Sequence, residues 1–413
     1  MINDIPTLDD VRVDNKSIVM RIDINAPIVD SKILDFTRFE SHIPTIKELE
    51  DAKLVLLAHQ SRPGRKDFTT LEEHAKVLSK LLGKEVEYLD EIFSSRVQEK
   101  IKNMKNGEII LLENVRFYSE EQLERTPEEH AESHLVKKLK KYFDIFVNDA
   151  FSSSHRSHAS IVGFVPVLPS VVGRLVEKEV AALNVALKSD GRKLFILGGA
   201  KMKDPVKVMK NVLENGIAEK VALTGVLANY FLKLKGFDIG KENEKVVEEN
   251  KEGLKDEEMK KLFEKYREKI VLPVDLGVEK EGKRIDVTLE KFKGEVIKDI
   301  GIETAKLYAE LAKEYDVVVV KGVAGVFEDQ KFAIGTHEIL KGVTKSKFSI
   351  VGGGHAASAA ELFGLSNKIG YISTAGGACI SYLSGEKLPA IEAIKDYWKK
   401  KWNVVLRNNS ARS

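Results

Sequence analysis

Four short strings in the first 160 residues bring basic and amide side chains together. They are Arg21-Ile22-Asp23-Ile24-Asn25, with Asp35-Phe36-Thr37-Arg38 soon after; His59-Gln60-Ser61-Arg62; Glu113-Asn114-Val115-Arg116; and Asn148-Asp149, with His155-Arg156 soon after. Guanidinium forks donate in pairs to phosphate and carboxylate oxygens. A small molecule carrying both groups is the ligand such a set would hold. One arginine alone reads as a surface ion-pair partner. Arginines that close successive strands of one sheet read as an anion basket.

A second set of strings is rich in glycine: Gly198-Gly199-Ala200-Lys201, Thr224-Gly225, Gly322-Val323-Ala324-Gly325 running to Glu328, Gly352-Gly353-Gly354-His355, and Ser373-Thr374-Ala375-Gly376-Gly377-Ala378. Glycine lets backbone N–H groups approach an anion closely. A helix starting just beyond adds the positive end of its dipole. Gly352–Gly354 precede the helical pattern Ala356–Phe363, which is that arrangement. Asp204-Pro205 reads as the cap and first position of a helix over Val206–Leu213, with Lys201, Lys203 and Lys207 around its start.

The elements that must carry these strings alternate in kind. Apolar runs at Ser17–Asn25, Lys53–His59, Val86–Leu89, Glu108–Arg116 and Asp144–Asp149 read as parallel strands buried on both faces. Helical patterns at Thr70–Leu82 and Pro127–Lys141 lie between them. The rhythm restarts with Leu194–Leu197, Val221–Thr224, Ile270–Leu276, Val317–Val320, Phe348–Val351 and Ile369–Thr374. This is an α/β chain of two doubly wound parallel sheets. A break at Phe164–Pro169, then a joining helix over Leu175–Leu187, predicts a first domain 1–170 and a second 171–391. The charged stretch Lys241–Lys269 reads as solvated helix. In open parallel sheets ligands sit beyond the carboxyl ends of the strands, where both sets of strings fall.

The 413 residues exceed the usual size of one domain. Basic and acidic residues balance, 66 against 64, so no global field serves nucleic acid or membrane and any anion site is local. The single Cys379 excludes a disulfide scaffold and reads as a small buried residue in a reducing cytosol. No apolar run reaches about eighteen residues, and the first residues lack a signal pattern. A cytoplasmic protein is expected.

Together these strings resemble the phosphoglycerate kinase family along nearly the whole chain, in order and spacing as well as in kind. The resemblance implies two Rossmann-like domains joined by a hinge helix, and phosphoryl transfer between 1,3-bisphosphoglycerate with ADP and 3-phosphoglycerate with ATP in a closed cleft. It places 3-phosphoglycerate on the first domain, at Asp23, Asn25, Arg38, His59, Arg62, Arg116 and Arg156, with Ile24, Gln60 and Ser61 in the same strings. It places nucleotide with Mg²⁺ on the second, at Gly198, Gly199, Lys201, Glu328, Gly352, Gly353, Gly354 and His355. Arg38 and Lys201 take the catalytic roles. A tail from about 392 to 413 is expected to fold back on the first domain, and a monomer is expected.

Three strings depart from the family pattern and look like its archaeal branch. Pro205 stands where the family often has a second lysine. His355 follows the triglycine where an aspartate often serves the metal, so the metal ligands are left unassigned. Val320-Lys321-Gly322-Val323 replaces a tryptophan-asparagine-glycine-proline string.

The reaction needs no catalytic base, because the attacking carboxylate of 3-phosphoglycerate is ionised at neutral pH. Rival readings fare worse. Gly352-x-Gly354-x-x-Ala357 fits a dinucleotide pattern, but the acidic residue expected about twenty positions on is missing, which disfavours an NAD-dependent dehydrogenase. A non-catalytic nucleotide-binding protein would not need both the arginines and Lys201. His130 and His134 lie four apart on one expected helix, but Ala131 replaces the glutamate of a zinc hydrolase. No Gly-Lys-Ser/Thr string of a P-loop occurs.

Overall fold

The computed structural model describes residues 1–402 apart from Asn3, Ser31 and Thr374. Residues 403–413 of the expected tail, and Thr374 of the Ser373–Ala378 string, lie outside the described residues. The chain forms two compact units, one of Met1–Ala181 with the stretch from Lys387, the other of Ala182–Glu386. The division falls inside the helix Arg174–Lys188.

In the first unit six parallel strands lie in the order Glu87–Leu89, Ile109–Leu112, Lys53–Leu57, Ser17–Arg21, Ile145–Asn148, Ser170–Val172. The central strand is buried on both faces; Ile18, Val19 and Met20 expose no surface. Each such side chain contributes roughly 1.5–3 kcal/mol of burial, which is why the strand reads as an unbroken apolar run. Arg21 pairs in register with Leu57 on one side and Asn148 on the other. Asp23, His59 and Asp149, one or two residues further on, therefore leave the sheet along one edge. Helix Thr37–Glu48 buries Phe39, His42, Thr45 and Ile46, one helical face at i, i+3, i+6 and i+7. Late in the chain, helix Pro389–Tyr397 returns to this unit, where the Ala390 N–H donates to the Ser154 carbonyl (3.2 Å) and Trp398 joins the core.

In the second unit six parallel strands lie in the order Ile270–Val271, Lys220–Leu223, Lys193–Leu197, Val317–Lys321, Phe348–Gly352, Tyr371–Ser373. Lys321 pairs with Leu197 on one flank and Gly352 on the other, so the glycine strings also emerge side by side.

Local structure departs from the sequence expectation at several places, the first being the strand Ser170–Val172 just beyond the expected break. The run Ile270–Leu276 splits at Pro273, which has no N–H to donate. Its second part, Asp275–Lys280, pairs antiparallel with Lys283–Thr288 and Val296–Ile300 in a separate three-stranded sheet. Pro127–Lys141 is two helices, Pro127–Ala131 and His134–Leu139, because the Ser133 hydroxyl accepts the Val136 N–H and starts a new one. His130 and His134 therefore share no helix; the first is buried and the second exposed. Lys241–Lys269 likewise forms two helices, Lys241–Asn250 and Asp256–Lys265. Finally, the helix expected from Pro205 begins at Lys203. The first-turn N–H groups of a helix lack intrahelical partners anyway, so proline is tolerated there and Asp204 lies in the turn instead of capping it.

Candidate active site

Asp23 organises the strand ends of the first unit. Its carboxylate is buried, accepts a close bond from the Arg38 guanidinium and another from the Ser152 hydroxyl, and accepts the Asn25 N–H at 3.1 Å. Burial works to raise its pKa, but the charge of Arg38, with Ser152 and Arg21, outweighs burial and holds the carboxyl well below its usual range. Behind it lies Arg21, fully buried. Its Nη2 donates to His59 Nδ1 (2.8 Å) and its Nε to Ser160 Oγ (2.8 Å), while the same hydroxyl donates to Glu121 (2.6 Å). Arginine cannot accept, so His59 Nδ1 is the acceptor and its proton sits on Nε2. Burial, then the neighbouring Arg21 charge, pushes His59 well below its ordinary pKa. It is a neutral hydrogen-bond donor at physiological pH.

The remaining arginines gather at the same edge. Burial lowers Arg116 to about 10, with Arg21 and Arg156 adding repulsion. Arg156 is lowered by burial and then by the charge of Arg62. Such crowding of like charge is tolerated when an anion can screen it. The loop between them is tightly held. Asn25 Oδ1 accepts the Ser61 N–H (2.8 Å), and Arg116 donates to the Ser61 carbonyl. Ser61 adopts a left-handed φ of +58°, a strained conformation of the kind that clusters at ligand sites.

Two candidates face away from this hollow. Gln60 is fully buried and spends its amide on both backbone groups of Ala26 (3.1 and 2.9 Å). The Ile24 side chain is part of the hydrophobic core. Both shape the loops; neither offers a side chain to a ligand. Ala131 and His130 pack inside, with His130 Nε2 on the Ser157 carbonyl (2.7 Å).

In the second unit the backbone itself forms the seat. Strand ends press together so closely that a Cβ at Gly322 would lie 2.1 Å from the Gly198 carbonyl oxygen. The Gly198 N–H donates to the Lys321 carbonyl (2.8 Å). Gly353 has φ +100° and starts the helix Gly354–Leu362, whose first-turn N–H groups have no intrahelical acceptor. Lys201 is exposed. Lys207 is committed to Glu386 (2.8 Å). Glu328 and His355 are exposed, and the His355 ring stands edge-on to Phe327 with centroids 6.3 Å apart. Among the described residues no three His, Cys, Asp or Glu side chains gather as a metal cluster.

Residues 8–386 match the family model described as phosphoglycerate kinase. The chain belongs to the phosphoglycerate kinase family. It is 68% identical to the phosphoglycerate kinase of Archaeoglobus fulgidus, over 97% of this chain and 99% of that one. It is 48% identical to the phosphoglycerate kinase of Methanothermus fervidus, over 95% and 98%. The crystal structure of phosphoglycerate kinase from Pyrococcus horikoshii OT3 superposes with a TM-score of 0.88 at 40% identity, covering 95% of this chain and 99% of that one. The structure of phosphoglycerate kinase from Coxiella burnetii does so at 0.81 and 31%, over 95% and 99%.

Three residues of this phosphoglycerate kinase site carry little signal in sequence. His42 lies one turn beyond Arg38, turns Nδ1 to the buried Asp149 carboxylate (2.8 Å) and accepts the Asp23 N–H at Nε2 (3.0 Å). Asp149 in turn accepts the Leu175 N–H (2.9 Å), at the start of the helix that leaves the unit. Ser152 lies in a run of three serines with nothing to mark it. Arg21 lies inside the apolar run Ser17–Asn25, where nothing marks it as the buried partner of His59. The i, i+4 spacing of Arg38 and His42 is the one pattern that could have drawn attention to the pair.

Proposed function

We propose that this phosphoglycerate kinase binds 3-phosphoglycerate through its first unit and nucleotide through its second, and transfers the γ-phosphoryl group between them. The observation that carries the reading is the gathering of Arg38, Arg62, Arg116, Arg156 and neutral His59 around one buried carboxylate, Asp23. Asp23 answers Arg38, and the remaining arginines leave the set with excess positive charge. A ligand with a phosphate at one end and a carboxylate at the other supplies the missing charge.

In the ATP-consuming direction the glycerate carboxylate attacks without prior deprotonation. The protein's task is alignment and stabilisation of charge on the transferring group. Arg38 is assigned both to the substrate and to that group; its tie to Asp23 sets its orientation before the ligand arrives. Asn25 and Arg116 hold the Ser61 loop and so position Arg62. Arg116 and Arg156 are assigned to the anionic ends of the glycerate. His59 donates from Nε2 and moves no proton. On the nucleotide side Lys201 and the N–H groups beyond Gly353 are assigned to the phosphates, and Glu328 to the ribose. Exclusion of water from the transferring group would protect the acyl phosphate from hydrolysis.

Mg²⁺ is proposed to enter with the nucleotide, held chiefly by phosphate oxygens and water. Such binding requires no protein cluster, which fits the donor set here. His355→Ala should therefore keep its Mg²⁺ requirement unaltered; a rise in the Mg²⁺ concentration needed for half-maximal activity would make His355 a ligand. A cytoplasmic location is proposed alongside, and no helix among the described residues is long and apolar enough to cross a membrane.

The test is a coupled assay with ATP and 3-phosphoglycerate. Turnover between about 1 and 10³ s⁻¹ is expected. Nucleotide binding without transfer would instead favour a non-catalytic protein on this fold.

A further inference from the structure

We propose that Lys321 is a phosphate-binding residue of the nucleotide seat, supplying a positive charge where the neighbouring strands end in glycine. The proposal rests on the assignment of that seat made above.

The run Val317–Lys321 is four valines and then a lysine, at the carboxyl end of the central strand. Its neighbours in register are Leu197, followed by Gly198-Gly199, and Gly352, followed by Gly353-Gly354. The lysine is thus the long side chain on a ledge of glycines. Its direction is fixed by contacts. A Cβ at Gly353 would lie 2.6 Å from Lys321 Nζ, and one at Gly352 would lie 3.8 Å from its Cδ. The stem crosses Gly352 and the ammonium lies beside Gly353, immediately before the helix Gly354–Leu362. Glycine at 353 serves twice: it accepts φ +100° and leaves room for the ammonium.

That placement is electrostatically unfavourable on its own. A cation beside a helix N-terminus meets the positive end of the dipole. The chain has 64 acidic residues, yet among the described residues none pairs with Lys321, and the side chain makes no hydrogen bond. Lys207, by contrast, is paired to Glu386. A solvated surface lysine would extend away from the helix end. This one is half-buried and held against it. An anion lying between the ammonium and the first-turn N–H groups turns repulsion into attraction on both sides. A nucleoside di- or triphosphate chain has the charge and length for this; an uncharged nucleoside does not.

The test is calorimetric binding of ADP with Mg²⁺, of adenosine, and of 3-phosphoglycerate to the full chain and to Lys321→Met, Lys321→Arg and Lys201→Met. Methionine keeps the stem that covers Gly352, and a thermal melt checks the fold. Lys321→Met should weaken ADP at least about tenfold while adenosine and 3-phosphoglycerate shift less than about twofold. Lys321→Arg should recover most of the ADP affinity. If Lys201→Met weakens ADP and Lys321→Met does not, the seat stands and the role of Lys321 is wrong. If adenosine weakens as much as ADP, the lysine shapes the seat without touching phosphate, and the proposal is again overturned. If neither variant affects ADP, the seat itself is misassigned.

Discussion

Asp23 and Arg38 illustrate how one ion pair can be both structural and preparatory. A buried carboxylate alone would be costly; with Arg38, Ser152 and the Asn25 N–H it stays ionised and orients the guanidinium before substrate arrives. Arg38→Ala should lower kcat by about 10²–10³, as loss of one donor to a transition-state oxyanion does, with the fold retained. A steady-state assay finding kcat within about twofold of the parent would remove Arg38 from the chemistry. At this scale the sequence was informative about long charged residues. Arg62, Arg116 and Arg156 stand out because arginine soon after successive strands has few other reasons to be there, and Arg38 stands out through its string Asp35–Arg38. Residues whose role depends on what they touch were not readable. Ser152 and Arg21 are ordinary in sequence, and Gln60, which looked like a ligand contact, is turned inward to Ala26.

The helix Thr37–Glu48 joins the substrate loop to the helix that leaves the first unit. It carries Arg38 in its first turn and His42 one turn on, and His42 links the Asp23 backbone to Asp149 and so to Leu175. Removing the imidazole strands a buried carboxylate and a buried N–H. His42→Ala should cost about 2–4 kcal/mol of stability, measured by urea unfolding, and should raise the KM for 3-phosphoglycerate. A cost below about 0.5 kcal/mol would mean water replaces the ring and the link holds nothing. Elements with a strong single signal were legible: the parallel strands from their apolar runs and the helices from their spacing. Elements set by one residue's competing bond were not. Ser133 divides one expected helix, Pro273 diverts one expected strand, and the hairpin after it turns on Glu281-Gly282 into a second strand, Lys283–Thr288, whose mostly exposed, charged residues carry no buried-strand pattern.

Across the whole molecule, buried histidines set the acid limit. Burial lowers His74 and His158 to about 4, and His59 falls well below its ordinary value. Unfolded imidazoles take up protons near 6.5 while these folded ones stay neutral, so their stabilisation is full above pH 6.5 and is lost as pH falls toward 4. The slope is at most about 1.4 kcal/mol per pH unit for each histidine. Asp299, raised to about 6 by burial despite its tie to Arg284, contributes with the opposite sign in the second unit. Trp398 packs in the core of the first unit, so its fluorescence should report a denaturation midpoint that falls between pH 6.5 and 4.5. A flat midpoint would mean the imidazoles are protonated in the folded state.

The division of labour between the units is open to direct measurement by hydrogen exchange of the full chain with each ligand separately. 3-Phosphoglycerate should slow exchange around Asp23–Asn25, His59–Arg62 and Arg116, and ADP with Mg²⁺ around Gly198–Lys201, Gly322 and Gly353–His355. Protection of one and the same unit by both ligands, or of neither, would contradict it.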